Sequence, residues 1–559
     1  MSGAEESAQT EPVSQSQEPT PDGVFLRKAS GVIRTMSSRD GMYYGFLSAA
    51  ALYSVILWIM PFAALFPQDN VLLANLLGLG FFVLVWFVYS NLSSAMPRSG
   101  GDYVFTSRLL RPVIGFAISW GAWIFWGLFW TFMAATTLVN GVFSPMLSAI
   151  GVSTGNQAWT NAAESIQDWH VRLPIVFVLV LASAWVMIAG MDKYMWLQRR
   201  ILMPLTLGGV VMIALSYIFV SHDTFVEHFN RFQAAAGGLP ADQIIAKASE
   251  LGFGAGQGAL WDTLGATVLI TFCYVWTIWS AELLGEIKQA NQLRTTYTMF
   301  FGAGLLTFVS FMIAIWGTFE YFGYTWFRSF SWLVLNKPDA LGGSWDFRGA
   351  ASLFYIPTLN VGLGVVLFLC IMAPCVQSLF NPTLSSSRLL LAQAFDRALP
   401  NWLGAVNARG APYGAIWFCT GVTLALAVFI EFVPTVTQIL YWGTWVTLLG
   451  LGAAILAGTL FPYTARTIYA VSPGARMKVL GVPAVTFVGA IALVWLGIIM
   501  LVGLFHPSWA MFEPGSARVG LVALIAVFVA AIIGFFVMRY YRAQQGINID
   551  YAFKSIPRA

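Results

Sequence analysis

Val71-Leu-Leu-Ala-Asn-Leu-Leu-Gly-Leu-Gly-Phe-Phe-Val-Leu-Val-Trp-Phe-Val-Tyr-Ser-Asn-Leu-Ser-Ser-Ala95 runs for 25 residues without an Asp, Glu, Lys, Arg or His. As a helix it extends about 37 Å, enough to cross a hydrocarbon core of about 30 Å. Lipid offers no partner to a backbone N–H or C=O, so only helices and closed barrels cross it. The alternation of a barrel strand is absent, which leaves the helix.

Working outward from this run, eleven more apolar stretches follow the same rule, giving twelve spans. Most of the boundaries matter little to the argument; three are used below, the third span at 113–139, the fifth at 201–220 and the eighth at 354–380. An even number puts both termini on one side. If that side is the cytoplasm, 22 of the 29 Lys and Arg residues fall in cytoplasmic segments. The positive-inside bias therefore predicts cytoplasmic termini, with 222–258 outside and 388–409 inside. The formal net charge of +4 is a topology signal and implies no nucleic-acid partner.

The rest of the composition fits a membrane bundle. Hydrophobic residues make up 58% and charged ones 10%, leaving no room for a large soluble domain. Residues 1–29, polar and rich in Ser, Glu, Gln and Pro, read as a disordered cytoplasmic tail, and 541–559 as a cytoplasmic C-terminal tail. Cys273, Cys370, Cys375 and Cys419 lie inside apolar runs and His170, His222, His228 and His506 in outside loops, so neither a metal site nor a cofactor is expected.

Function has to be sought where the apolar pattern breaks. After the second span comes Met96-Pro-Arg-Ser-Gly-Gly-Asp-Tyr-Val-Phe-Thr-Ser-Arg108, whose Pro97 and paired glycines force a tight turn. Gly285-Glu-Ile-Lys288 closes the sixth span. After the eighth come Ser387-Arg-Leu-Leu-Leu-Ala-Gln-Ala-Phe-Asp-Arg-Ala-Leu-Pro400 and Val406-Asn-Ala-Arg-Gly-Ala-Pro412. These three, in this order, closely resemble the loop signatures of the amino acid-polyamine-organocation transporter family, over about residues 30–460. After Gly285-Glu-Ile-Lys288, the family's Asn-Pro is replaced by Gln289-Ala290.

The resemblance implies an all-α membrane protein of about 12 helices: a core over 30–460 in which spans one to five and six to ten are inverted repeats, and two further helices in 461–540. It also implies a substrate site near the midplane, where the first and sixth helices are broken. In the first span the candidates are Ser48, Ala49, Ala50 and Tyr53, small or polar residues in a bulky helix; close helix packing explains them equally well. In the sixth, Thr271-Phe-Cys-Tyr-Val-Trp-Thr-Ile-Trp-Ser280 offers Tyr274, Trp276, Thr277 and Ser280, with Leu269 expected to face lipid. Glu282, the deepest acid, reads as a coupling or gate residue, paired with an Arg such as Arg388. Glu286, one turn further out, reads as an interfacial gate or cap.

Three function classes compete. A membrane-embedded enzyme needs acids, His or Lys gathered on one loop face, and the outside loops scatter Asp69, His170, His222 and Asp262. A channel needs a filter-like motif, and a nucleotide-driven pump needs a phosphate-binding loop. A secondary transporter for amino acids or related amines is the leading reading. In some proton-coupled members of the family that the chain resembles, the fifth span carries a Lys near the sodium position; 201–220 has none, and the eighth span offers Ala373, Cys375 and Ser378 without a clear Ser/Thr pair to give sodium two hard oxygens, so H+ is favoured over Na+, and exchange without an ion stays open.

Overall fold

The computed structural model describes residues 32–49, 51–256, 258–342, 350–433, 439–509 and 516–554. The 1–29 tail, Ala50 and residues 555–559 lie outside the described residues. Twelve helices are long and apolar enough to cross a membrane: Ser38–Leu65, Val71–Ala95, Pro112–Thr154, Trp169–Ile188, Met191–Phe219, Leu260–Glu286, Leu293–Phe322, Val361–Phe395, Tyr413–Phe432, Trp442–Thr464, Ala484–Phe505 and Arg518–Gln544. They are called spans 1 to 12.

Eight spans lie within a few residues of where the apolar runs put them; span 12 continues past 537 to Gln544, and three others differ for identifiable reasons. Span 3 runs on from 139 to Thr154 because its polar tail packs on the helix Gln157–Ser165 and is shielded from water. Span 5 starts ten residues early, at Met191; Arg199 on the added turn binds the Asp40 carboxylate of span 1 at 2.5 Å. Span 8 is shifted most. It starts at Val361 and continues to Phe395, so Ser387 and Arg388 lie on a helix and not in a loop. The apolar run ended at Phe380, before Asn381, Pro382 and the serines at 385–387; in the structure these are buried and Arg388 beyond them is paired with Glu286 at 2.7 Å, so the helix continues through the interior. The turn after span 2 is partly helical too, over Gly101–Leu109.

Burial runs opposite to hydropathy. Span 6, with the most hydrogen-bonding side chains at mid-depth, is 94% buried across its membrane window; span 12, almost purely aliphatic, is 17% buried. Lipid rewards apolar side chains on the outside, so the polar helices end up inside. Span 6 is enclosed by spans 1, 2, 7, 8, 10 and 11, while span 12 joins the bundle through span 10 and the start of span 3. One end carries most of the Lys and Arg and is called the basic face. The opposite face is capped by helices His222–Ala236, Ala241–Glu250 and Tyr324–Asn336, the last packing on the end of span 1.

Candidate functional site

A narrow cavity of about 30 Å³, room for about two waters, lies between spans 1, 3, 6 and 8, so a larger occupant has to part its walls. Span 1 supplies Ser48, Tyr53, Ser54 and Trp58; span 3, Trp130; span 6, Phe272, Trp276 and Trp279; span 8, Ser378, Asn381 and Pro382. Its aromatic wall is built edge to face, with Trp58 6.3 Å from Trp130, Phe272 5.3 Å from Trp276, and Trp276 4.5 Å from Trp279. Such pairs hold each other's orientation as well as burying area.

Span 6 changes geometry at this wall. It is α-helical over Leu260–Val275 and 3₁₀ over Trp276–Glu286, an 11-residue stretch where three or four is usual. The tighter winding turns Trp276 and Trp279 to the same side. Span 1 crosses it at Gly45, where a Cβ would sit 2.6 Å from the Thr277 carbonyl oxygen, so the crossing requires glycine. Just above, the Ser54 hydroxyl donates to the Ala49 carbonyl at 2.8 Å.

Of the residues expected at the site, Ser48, Tyr53 and Trp276 line the cavity. Tyr274 and Thr277 point the other way, into span 2: Tyr274 donates to Asn75 Oδ1 at 3.2 Å and stacks on Phe82 at 5.6 Å, and Thr277 Oγ1 accepts from Trp86 Nε1 at 2.9 Å. Ser280 and Ala49 are buried off the cavity wall. Leu269 does not face lipid. It is 2% exposed, packed beside Ser54 and Trp58 because spans 1 and 6 cross there.

Below the cavity a polar network joins spans 1, 5 and 8. Gln377 donates to Asn381 Oδ1 at 2.6 Å and to the Tyr194 hydroxyl, while Tyr44 donates to the Asn381 carbonyl at 3.0 Å. Further down, the glycine turn after span 2 closes onto span 6. Gly100, at φ +75°, donates its N–H to the Glu282 carbonyl at 2.9 Å, and a Cβ on Gly101 would lie 2.5 Å from the Ala281 oxygen. The Asp102 N–H meets Glu282 Oε1 at 3.3 Å, and Tyr89 donates to Asp102 Oδ1 at 2.7 Å. Burial pushes the Asp102 carboxyl above the ordinary carboxylate range. Arg388 pairs with Glu286, not Glu282. The charge at the end of span 8 and the acid at the end of span 6 are level in depth, whereas Glu282 sits one turn deeper against Asp102.

The opposite end is closed by Arg328, fully buried, which binds Asp69 Oδ1 at 2.5 Å and the Asp69 carbonyl at 2.8 Å, also donates to the Gly256 carbonyl, and lies 5.4 Å from the Phe319 ring centroid. Burial pushes Asp69 up to about 7. Sequence reading did not single out Trp58, Trp130, Asn381 or Asp102 as site residues. The available signal was weak: Trp126 and Trp130 one helical turn apart in span 3, and an amide in the middle of span 8.

Among the described residues, twelve helices long and apolar enough to cross a membrane pack around an interior cavity between spans 1, 3, 6 and 8, the frame of a membrane transporter. The amino acid permease family model matches residues 70–548, most of the chain, and the protein belongs to that family. Similar proteins include uncharacterized transporters of Mycobacterium bovis and of two Mycobacterium tuberculosis strains, each 25% identical over 379 residues, covering 66% of this chain and 69% of the relative. The partners that follow are a small-molecule substrate and a lipid bilayer.

Proposed function

We propose that this permease moves an amino acid or related amine across the cell membrane by alternating access, without nucleotide hydrolysis and without enzymatic turnover. The observation that carries the reading is the closed cavity between spans 1, 3, 6 and 8, set at the change of helical geometry in span 6. In this reading both termini are cytoplasmic, the basic face is the inner one, and spans 1–5 and 6–10 act as inverted halves, with spans 11 and 12 appended. Ser48, Tyr53, Trp276 and Asn381 contact substrate. Glu286 and Arg388 hold the inner gate, and opening must separate or carry them together.

Proton coupling is supported by Asp102 and Glu282, two buried acids in contact, each with one carboxyl oxygen that has no hydrogen-bond partner among the described residues. Two like charges cannot both stay ionised cheaply in such a place, so the pair is suited to hold a proton. The test is uptake of labelled amino acids into proteoliposomes with and without an inward pH gradient. Stimulation by the gradient is expected; uptake indifferent to it leaves exchange as the mode.

A further inference from the structure

The cavity wall presents hydrogen-bond donors with nothing to receive them. Trp130 Nε1 and Asn381 Nδ2 are buried and without a partner, and both are donors only. Asn381 Oδ1 is already occupied by Gln377 and, at 3.4 Å, by the Tyr194 hydroxyl, so the Asn381 side chain has an N–H to give and little to accept with. The hydroxyls of Ser48 and Tyr53 are also buried without partners. Leaving such groups unpaired costs roughly 1–3 kcal/mol each, and an occupied cavity is where they can be satisfied.

A second feature concerns charge. Among the described residues, the wall contains no Asp, Glu, Lys, Arg or His. The nearest ionic groups on span 6 and in the turn after span 2 are engaged in the basic-face closure. A ligand bearing a net charge would thus be buried without a counter-ion, which is strongly unfavourable.

Resting on the permease reading above, we infer that the cavity takes a zwitterionic amino acid with an uncharged apolar or aromatic side chain, and rejects amines without a carboxylate and amino acids with a charged side chain. A carboxylate brings two oxygens and about four acceptor sites, matching Trp130, Asn381, Ser48 and Tyr53. The hydroxyl lone pairs and the faces of Trp276 and Trp279 then receive the ammonium. Trp58 and Phe272 leave an apolar wall for the side chain. An amine alone adds N–H donors to a site that already has too many.

The test compares phenylalanine with phenethylamine, which keeps ring and ammonium and lacks the carboxylate. Binding of labelled phenylalanine to purified protein is competed by phenylalanine, leucine, phenethylamine, putrescine, arginine and glutamate, alongside uptake into proteoliposomes. Phenylalanine and leucine are expected to compete at least roughly tenfold better than the other four. Trp130→Phe keeps a ring and removes the donor, so it should weaken phenylalanine roughly tenfold and phenethylamine hardly at all, narrowing the gap. Asn381→Asp replaces a donor by an acceptor and should narrow it from the other side, by admitting phenethylamine. Phenethylamine or putrescine competing as well as phenylalanine, or Trp130→Phe weakening both ligands equally, overturns the inference. Uptake of putrescine or arginine alone overturns it and leaves the permease standing; uptake of none of these solutes overturns both.

Discussion

The two ends of the cavity are closed in different ways. On the opposite face one cation does the work: Arg328 is held by a carboxylate, backbone carbonyls and aromatic rings, so its charge is satisfied from every side. On the basic face the closure is made by backbone: Gly100 to Glu282, Met36 to Glu286 at 2.9 Å, and Lys288 back to Met36 at 2.8 Å. Behind that backbone lies an acid pair, Asp102 and Glu282, and the cation nearest in the closure, Arg388, is engaged by Glu286. One end is a rivet that holds its charge. The other carries the buried acid pair for which proton coupling is proposed above.

The sharpest break in this comparison comes from removing the rivet. Arg328→Met strands Asp69 in the interior and should cost about 3–5 kcal/mol, while the double variant Arg328→Met/Asp69→Leu should recover most of it. Thermal unfolding of purified protein measures both. A double variant as unstable as the single one means that packing of residue 328, not its charge, closes this end.

Acidity sharpens the comparison next. A carboxyl raised by burial holds its proton in the closed clasp, so closure is fully favoured below the ordinary carboxylate range and weakens as pH rises through the raised value. Facing Asp102 are Glu282 and Tyr89, with the Glu286–Arg388 pair beyond. Hydrogen exchange in 98–109 and 276–288, corrected for its intrinsic pH dependence, should therefore rise from acid to alkaline pH, and Asp102→Asn should flatten that rise. Around Asp69 the groups are Arg328, Asp262 and His506, whose own pKa is lowered by burial. Asp102→Asn should leave that end unchanged. A rise that persists in the variant places the titrating group elsewhere.

The smallest effects separate the two sides of span 6 that lie between these closures. Thr277→Val removes the partner of the buried Trp86 Nε1 and should lower stability by about 1–3 kcal/mol without changing apparent substrate affinity. Trp276→Phe should shift that affinity about 2- to 12-fold, the equivalent of an aromatic contact worth about 0.5–1.5 kcal/mol. Val494, exposed on span 11, serves as the lipid-facing control.

Much of this architecture is legible in the sequence because lipid leaves few choices. A long charge-free run must be a helix, and all twelve were found. What misled was polarity: Asn381, Pro382 and the serines at 385–387 ended the apolar run of span 8 at Phe380, since the Glu286 that neutralises Arg388 beyond them lies about a hundred residues away and cannot be read locally. Tyr274, Trp276, Thr277 and Ser280 share a composition, but which of them faces the cavity depends on the tighter winding that begins at Trp276. The roles of the glycines at 100 and 101 were visible as a turn; their second role, bringing the turn within backbone contact of span 6, was not.

The most direct test of the central claim is uptake of labelled phenylalanine into sealed proteoliposomes free of nucleotide, comparing the wild-type protein with Trp276→Phe and the Val494→Ala control. The account predicts saturable uptake, an altered apparent affinity in Trp276→Phe and an unaltered one in Val494→Ala. Uptake that requires ATP, or a Trp276→Phe protein indistinguishable from wild type, would contradict it.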